Sequence, residues 1–471
     1  MFNNFIGNHT QEMIENLMQL INIPTVMGAK EEKAPFGRNI AQGLDYILSL
    51  AEKWGMQVKN YEGYAGEITI GTGDYRVGIL CHIDVVDAGE GWETPPFKAT
   101  IKDEKIYGRG AIDDKGPLIS CLYVMKYLND HQLIPPSTSL RMIIGTNEEE
   151  NWEGIQYYVA HAPILPHVSI VPDGNFPAIC YEKGLLDFNL ISKHPSDARL
   201  PIQLISIEGG NGRNVVPGKC MCQLKVSSEV FLKERIEERL EALKHTQISY
   251  EQGLLTIETS GKSTHCMTPE KGRNAIALLM HALYELGPLF SHHEMVKSFK
   301  HYIGKEYNGQ SYGCGFEDAL SGKLTFNIGK IYLDKDSLIM EANLRYPVST
   351  PYEVVKEAVE QTSLKAGFEY NQIDHLAAIC MEKDAPLMTC LLKAYRMITG
   401  DEISEPLSIG GATYARAIPN AVAFGPLQPY EEELAHEANE YLSIDSLFKM
   451  TEIYERALTL LLNEPIDRAN L

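Results

Sequence analysis

The segment CHIDVVD (81–87) sets His82 and Asp84 two residues apart at the end of an apolar run. If that run is a strand, the two side chains share one face and Cys81 points to the other. A carboxylate beside an imidazole orients the ring and raises its basicity as a metal ligand. A polar strand end at the surface is the plain alternative. YGRGAIDDKGP (107–117) then delivers Asp113 and Asp114 from a glycine-dense loop just ahead of a Gly-Pro helix start. Taken alone it reads first as a capping turn, because aspartate favours helix N-termini for its own reasons. The apolar run 139–146 leads into NEEENWEG, which crowds Glu148, Glu149 and Glu150 at one sheet edge. Like charges packed together cost energy without a counter-cation, although a solvated helix N-terminus also favours acids. VPDG (171–174) contributes Asp173, and ELAHEANE (433–440) contributes His436, on its own an ordinary surface histidine.

These residues need a scaffold, and hydrophobic periodicity supplies one. Short apolar strands alternate with amphipathic helices through the first third: strand 75–84, helix 116–130, strand 139–146, helix 151–161 and strand 168–174. Such alternation predicts a layered α/β domain. Ligands of open α/β sheets sit beyond the carboxyl ends of the strands, where Pro-Asp-Gly ends the last of these. From about residue 185 the texture changes to strand pairs and longer helices, among them 233–244 and 274–287. After about 380 the earlier style resumes with helix 385–400, a Gly-Gly turn (410–411), strand 420–425 and a terminal helix 441–463. The fold class is therefore α/β. A discontinuous catalytic domain (1–184 and 381–471), its mixed sheet flanked by helices, is interrupted by an inserted α+β region (185–380).

Bulk composition narrows the function classes. The 471 residues exceed what one hydrophobic core usually serves, and 44% apolar with 22% charged residues is ordinary for a folded protein. A formal charge of −21, from 63 acidic and 42 basic residues, argues against nucleic acid or anionic lipid as partners. No apolar run approaches the roughly 20 residues needed to span a bilayer. The opening MFNNFIGNHTQEMIENL lacks secretory-signal features and reads as a mature N-terminal helix. Nine cysteines, scattered and without CxxC spacing, fit free thiols in a reducing compartment, so the expected location is cytoplasmic.

The ordered set HID, GRGAIDDKG, NEEE, VPDG and AHEANE resembles the dinuclear-zinc exopeptidase family, which holds acetylornithine deacetylase, succinyl-diaminopimelate desuccinylase, glutamate carboxypeptidase, carnosinase and bacterial dipeptidases of the PepV type. The resemblance covers nearly the whole chain. It implies Asp113 as a bridging carboxylate, His82 and Asp173 on one metal, and Glu149 and His436 on the other. It further implies a cis Asp113–Asp114 peptide, Glu148 as general base and Asp84 as the residue that steadies His82. Metals roughly 3.5–4 Å apart can share a water and lower its pKa, and a carboxylate in reach takes the proton.

In the insertion, GKSTHCMTPEKGRNAI (261–276) resembles the segment whose histidine, here His265, stabilises the tetrahedral oxyanion. GGNGRNVVP (209–217) resembles a substrate-contacting turn, with Asn214. LRYPVSTPYE (344–353) resembles the strand end whose arginine, Arg345, grips the substrate's C-terminal carboxylate through a planar fork; a surface salt bridge is the alternative. SIGGATYARAIPN (408–420) resembles the late substrate-binding loop, with Gly410 and Gly411 admitting backbone close to a bound dipeptide. The long insertion resembles the lid of the PepV-type branch, which implies an inserted α+β lid domain (185–380) of two α+β halves and a monomeric dipeptidase acting on short peptides with a free N-terminus. Two competing expectations are a metal-dependent N-acyl-amino-acid deacylase or desuccinylase and a non-enzymatic peptide-binding relative. Two His and three carboxylates suit two Zn²⁺ ions, and an oxygen-rich set also accepts Mn²⁺ or Co²⁺.

Overall fold

Alternating apolar strands and amphipathic helices do build the first third of the chain, as its periodicity predicts. The structure, a computed structural model, describes residues 2–335 and 337–466, so the extreme ends of the expected catalytic domain lie outside the described residues. The chain divides into two compact units, the first comprising Met1–Cys180, Met381–Leu407 and Ala412–Leu471 and the second Tyr181–Cys380 and Ser408–Gly411.

The first unit is organised on a six-stranded mixed sheet. Its strands lie in the order Gln57–Tyr61, Ala65–Gly71, Thr138–Gly145, Tyr75–His82, Val168–Val171 and Ala421–Ala423. The first two junctions are antiparallel and the last three parallel. Parallel strands are buried on both faces, which is why Val168–Val171 and most of Tyr75–His82 are buried without alternation. Helix Lys115–Asp130 is buried from Lys115 through Val124, as expected of a helix covered on several sides. It packs against helix Ile444–Asn463, where Ser120 and Thr451 hydroxyls meet at 2.6 Å, and against helix Phe2–Ile21, where Asn16 donates to Tyr123 Oη at 2.8 Å.

One eight-stranded antiparallel sheet runs through the second unit. Its order is Thr246–Glu251, Leu254–Ser260, Lys219–Val226, Ile202–Gly209, Thr325–Asp334, Ser337–Tyr346, Gly184–Ser192 and Phe368–Leu376. Helices Ala275–Glu285 and His293–Tyr302 contribute Leu279, Met280, Leu283, Val296 and Phe299 to its core.

Three local expectations need correction. The helix expected over 233–244 is two short helices, Ser228–Lys233 and Ile236–Glu241, parted at Arg235 with φ +52°. Phe231 and Ile236 are both buried, and five residues along one continuous helix would turn them about 140° apart. The break brings both inward. The terminal helix begins at Ile444, because Tyr441–Ser443 pairs as a strand with Lys105–Tyr107 and Ser443 caps the helix through Ser446 N–H. Helix 151–161 begins at Glu153, behind Trp152 in the left-handed region at φ +62°. Among the described residues no helix is long and apolar enough to cross a membrane.

Candidate metal centre

Strands Thr138–Gly145, Tyr75–His82 and Val168–Val171 run side by side in the same direction, with His82 level with Gly145. Their carboxyl ends therefore present His82, the Glu148–Glu149 turn and Asp173 at one sheet edge. Ile83 N–H donates to Gly145 O at 3.0 Å, and Asp84 then turns its carboxylate to the next loop. Asp84 Oδ1 accepts Glu148 N–H and Oδ2 accepts Glu149 N–H, each at 3.0 Å. Gly145 admits no side chain, since a Cβ there would lie 2.2 Å from Tyr414 Oη.

Asp113 and His436 come from loops. The Asp113–Asp114 peptide is cis, as the resemblance implies, and Asp114 turns away from Asp113's oxygens so that its own Oδ2 accepts His82 N–H at 3.0 Å. His436 stands at φ +67° in a segment that turns sharply.

The side chains meet around Asp113. His82 Nε2 lies 2.9 Å from Asp113 Oδ1 and 3.8 Å from Asp173 Oδ2. His436 Nε2 lies 3.0 Å from Asp113 Oδ2 and 3.1 Å from Glu149. Asp113 thus offers one oxygen to each imidazole. Ligand atoms of His82, Asp113 and Glu149 fall within 4.8 Å of one another, and so do those of His82, Glu148 and Asp173. Geometry therefore allows Glu148, expected as a base, to reach a cation too. Of the three expected glutamates only Glu150 is exposed. His82 Nδ1 is held by the backbone carbonyl of Asp84 at 3.0 Å, whereas the Asp84 carboxylate stands 3.6 Å away. Asp84 therefore meets the His82 ring more closely through its main chain than through its carboxylate.

The charges are unbalanced. Burial pushes Asp173 up to about 7, and the negative charge of Asp113 adds to the rise. Glu148 is pushed well above the carboxylate range by burial and by Asp173. For Asp113 burial acts in the same direction, but hydrogen bonds from His436 and His82 overcome it and hold the carboxyl well below its ordinary value. Desolvation works against a charged His436, yet Glu149 and Asp113 outweigh it and push the ring up to about 12. Four acids face two imidazoles, a donor set that further positive charge would satisfy. Imidazole nitrogen with carboxylate oxygen is the chemistry of Zn²⁺, Mn²⁺ or Co²⁺ sites.

The remaining expected residues lie in the second unit and form a connected group. His265 pairs in a bridge with Val215, and the next residue, Cys266, donates its N–H to Asn214 O at 2.9 Å. Cys266 Sγ also reaches Asn343 Oδ1 at 3.0 Å, the same oxygen that accepts from Arg345 Nε at 3.0 Å. Arg345, 4% exposed, donates through Nη1 to Gly410 O and makes no salt bridge among the described residues, which excludes the surface-pair alternative. Gly410 closes on the His265 loop, since a Cβ there would stand 2.8 Å from Met267 Cβ. Gly411 has a looser setting, with Ile409 Cδ1 at 3.4 Å from such a Cβ. Asn214 is exposed at its turn.

Sequence reasoning gave no role to Tyr414, Asn343, Arg109 or Glu440. Tyr414 is buried with its ring 6.3 Å from that of His82. Arg109 and Glu440 lie inside the motifs that carry Asp113 and His436, so their signal was present as buried-charge candidates flanking a ligand.

The profile of peptidase family M20/M25/M40 matches residues 78–460, and the chain belongs to that family. It is 34% identical over 457 residues to "Putative dipeptidase YtjP" of Bacillus subtilis, covering 95% of this chain and 96% of that protein. It is 32% identical over 466 residues to "Putative dipeptidase SH1171" of Staphylococcus haemolyticus, covering 96% and 97%. Among solved structures, the dipeptidase Dug1p of Saccharomyces cerevisiae shares the fold with a TM-score of 0.59 at 13% identity, covering 98% of each chain.

Proposed function

We propose that this protein is a metal-dependent dipeptidase that hydrolyses short peptides with a free N-terminus. One observation carries the metal reading: the two oxygens of Asp113 face two different imidazoles, His82 and His436, at 2.9 and 3.0 Å. A carboxylate so placed suits a bridge between two cations, one held with His82 and Asp173, the other with Glu149 and His436. Membership of a peptidase family, with similar relatives that carry dipeptidase names, supports the reaction class. When bound, the cations supply Lewis acidity that polarises a peptide carbonyl and acidifies water.

The protein's own groups do the rest. Glu148 is assigned as the general base, its carboxyl kept basic by burial and by Asp173 and so able to hold the proton destined for the leaving amine. Asp84 fixes Glu148 and Glu149 through their amides. His265 is assigned to the developing oxyanion, Arg345 to the substrate's terminal carboxylate, and Asn214, Gly410 and Gly411 to the peptide backbone. The buried Arg345 guanidinium, which makes no salt bridge among the described residues, suits an anionic partner that arrives with the substrate. We assign Zn²⁺ first and Mn²⁺ or Co²⁺ second, a monomer, and a cytoplasmic location consistent with nine scattered cysteines, seven of them buried.

The test is metal analysis of purified protein, then turnover of free and N-blocked dipeptides. Two cations per chain and cleavage of free dipeptides are expected. Cleavage of blocked peptides alone would make the protein a deacylase, and binding without turnover in fully metallated protein would make it a peptide-binding relative.

A further inference from the structure

Arg109 and Glu440 form an ion pair with Nη1 2.8 Å from Oε2, at 1% and 0% exposure. Burying such a pair costs desolvation that apolar residues would avoid, so what it contacts matters. Glu440 turns its oxygens onto the loop that ends in Asp113. Its Oε2 accepts Gly110 N–H at 3.0 Å, and its Oε1 accepts Ile112 N–H at 2.9 Å and Asp113 N–H at 3.4 Å. Arg109 faces the other way. Its Nη1 donates to Glu437 O and its Nη2 to His436 O, each at 3.2 Å. Nη2 also donates to Ala88 O at 3.1 Å and Asp87 O at 3.4 Å, on the segment that follows His82 and Asp84. The guanidinium lies 5.2 Å from the Trp92 ring, whose Nε1 donates to the same Ala88 carbonyl at 2.7 Å.

Three segments distant in sequence, each carrying or following a residue of the metal centre, are thus tied to one pair of side chains. A lysine could not do this, since the contacts need the planar fork of arginine. We propose that Arg109 and Glu440 are positioning residues that set the separation of Asp113 from His436, and hence the affinity for the cation those two residues share. The proposal rests on the metal-centre reading above. Neither residue touches substrate in this account; both act through the backbone of the ligand loops.

The test uses full-length protein stripped by chelator and titrated with Co²⁺, followed by visible absorption and calorimetry, beside thermal unfolding of the metal-free form. The variants are Glu440→Gln, Arg109→Lys and the double variant Arg109→Met/Glu440→Leu. The double variant removes both charges at once and so leaves no buried charge unpaired. Each is expected to bind one of the two cations 10–100-fold more weakly, the range for loss of a ligand's supporting partner, with a changed absorption band. The double variant is expected to fold but to melt below wild type, because the Gly110 and Ile112 N–H groups lose their acceptor. Wild-type affinity and spectrum in the folded double variant overturn the proposal. Failure of all three variants to fold overturns it as well, because the pair would then serve the fold and not the ligands. Wild-type protein that takes up no Co²⁺ stoichiometrically would instead sink the metal-centre reading, a result that needs no variant.

Discussion

Asp84 Oδ1 accepts the backbone N–H of Glu148 at 3.0 Å, so an aspartate from one strand end fixes the loop that leaves its neighbour. Its other oxygen takes Glu149 N–H at the same distance. Asp84→Asn would turn an amide N–H₂ toward one of these donors, leaving a buried donor unsatisfied. Activity should fall 10–100-fold with the chain still folded, measured by kcat beside circular dichroism. Unchanged kcat would separate the loop's placement from catalysis.

Glu148→Gln separates base from ligand. As the base, its loss should lower kcat by 10²–10⁴-fold while both cations remain, whereas Asp113→Ala should lose cations and activity together. Metal content per chain and kcat decide the matter. Loss of a cation from Glu148→Gln would show that the His82–Glu148–Asp173 grouping is a coordination sphere.

Arg345 and His265 should divide binding from chemistry. Arg345→Lys keeps the charge but loses the fork that spans Asn343 and Gly410, so KM should rise at least tenfold. C-terminally amidated dipeptides should be poor substrates for wild type and blind to this variant. His265→Ala should depress kcat more than KM, and an effect confined to KM would contradict a role at the oxyanion.

A stability prediction concerns the second unit. Burial would raise Asp318, but N–H donors from Ser321 and Ser349 overcome it and hold the carboxyl at about 2. The unfolded chain holds it near 3.9. A folded value below the unfolded one gives stability that is full above about pH 4 and is lost as pH falls through about 2. The group is partly exposed, so its contribution should be no more than about 1 kcal/mol. Asp318→Ala should be destabilised by that much at pH 7 in urea titrations, and the gap should narrow below about pH 4. A gap constant with pH would show that the effect is not the carboxylate's charge.

Legibility in the sequence followed locality. Helix Pro386–Thr399, with Pro at its first turn and Gly400 past its end at φ +71°, could be read from its own residues. The break at Arg235 could not, because it reflects Phe231 and Ile236 both reaching the core of a sheet assembled from distant strands. The strand Tyr441–Ser443 was hidden for the same reason: its partner, Lys105–Tyr107, lies in another part of the chain.

The candidate site divides along the same line. The resemblance carried by five ordered motifs pointed to His82, Asp113, Glu148, Glu149, Asp173 and His436, whereas residue types alone left a capping turn, a solvated helix N-terminus and a surface histidine as alternatives. Only the tertiary structure decided that Asp113 shares its oxygens between two imidazoles, that the Asp84 carboxylate serves Glu148 and Glu149 more than His82, and that Arg109 meets Glu440. These are contacts between segments as much as 331 residues apart, fixed by strand register and loop packing to within tenths of an ångström. No local pattern carries that information, since periodicity reports which face a residue presents and not which distant atom will meet it.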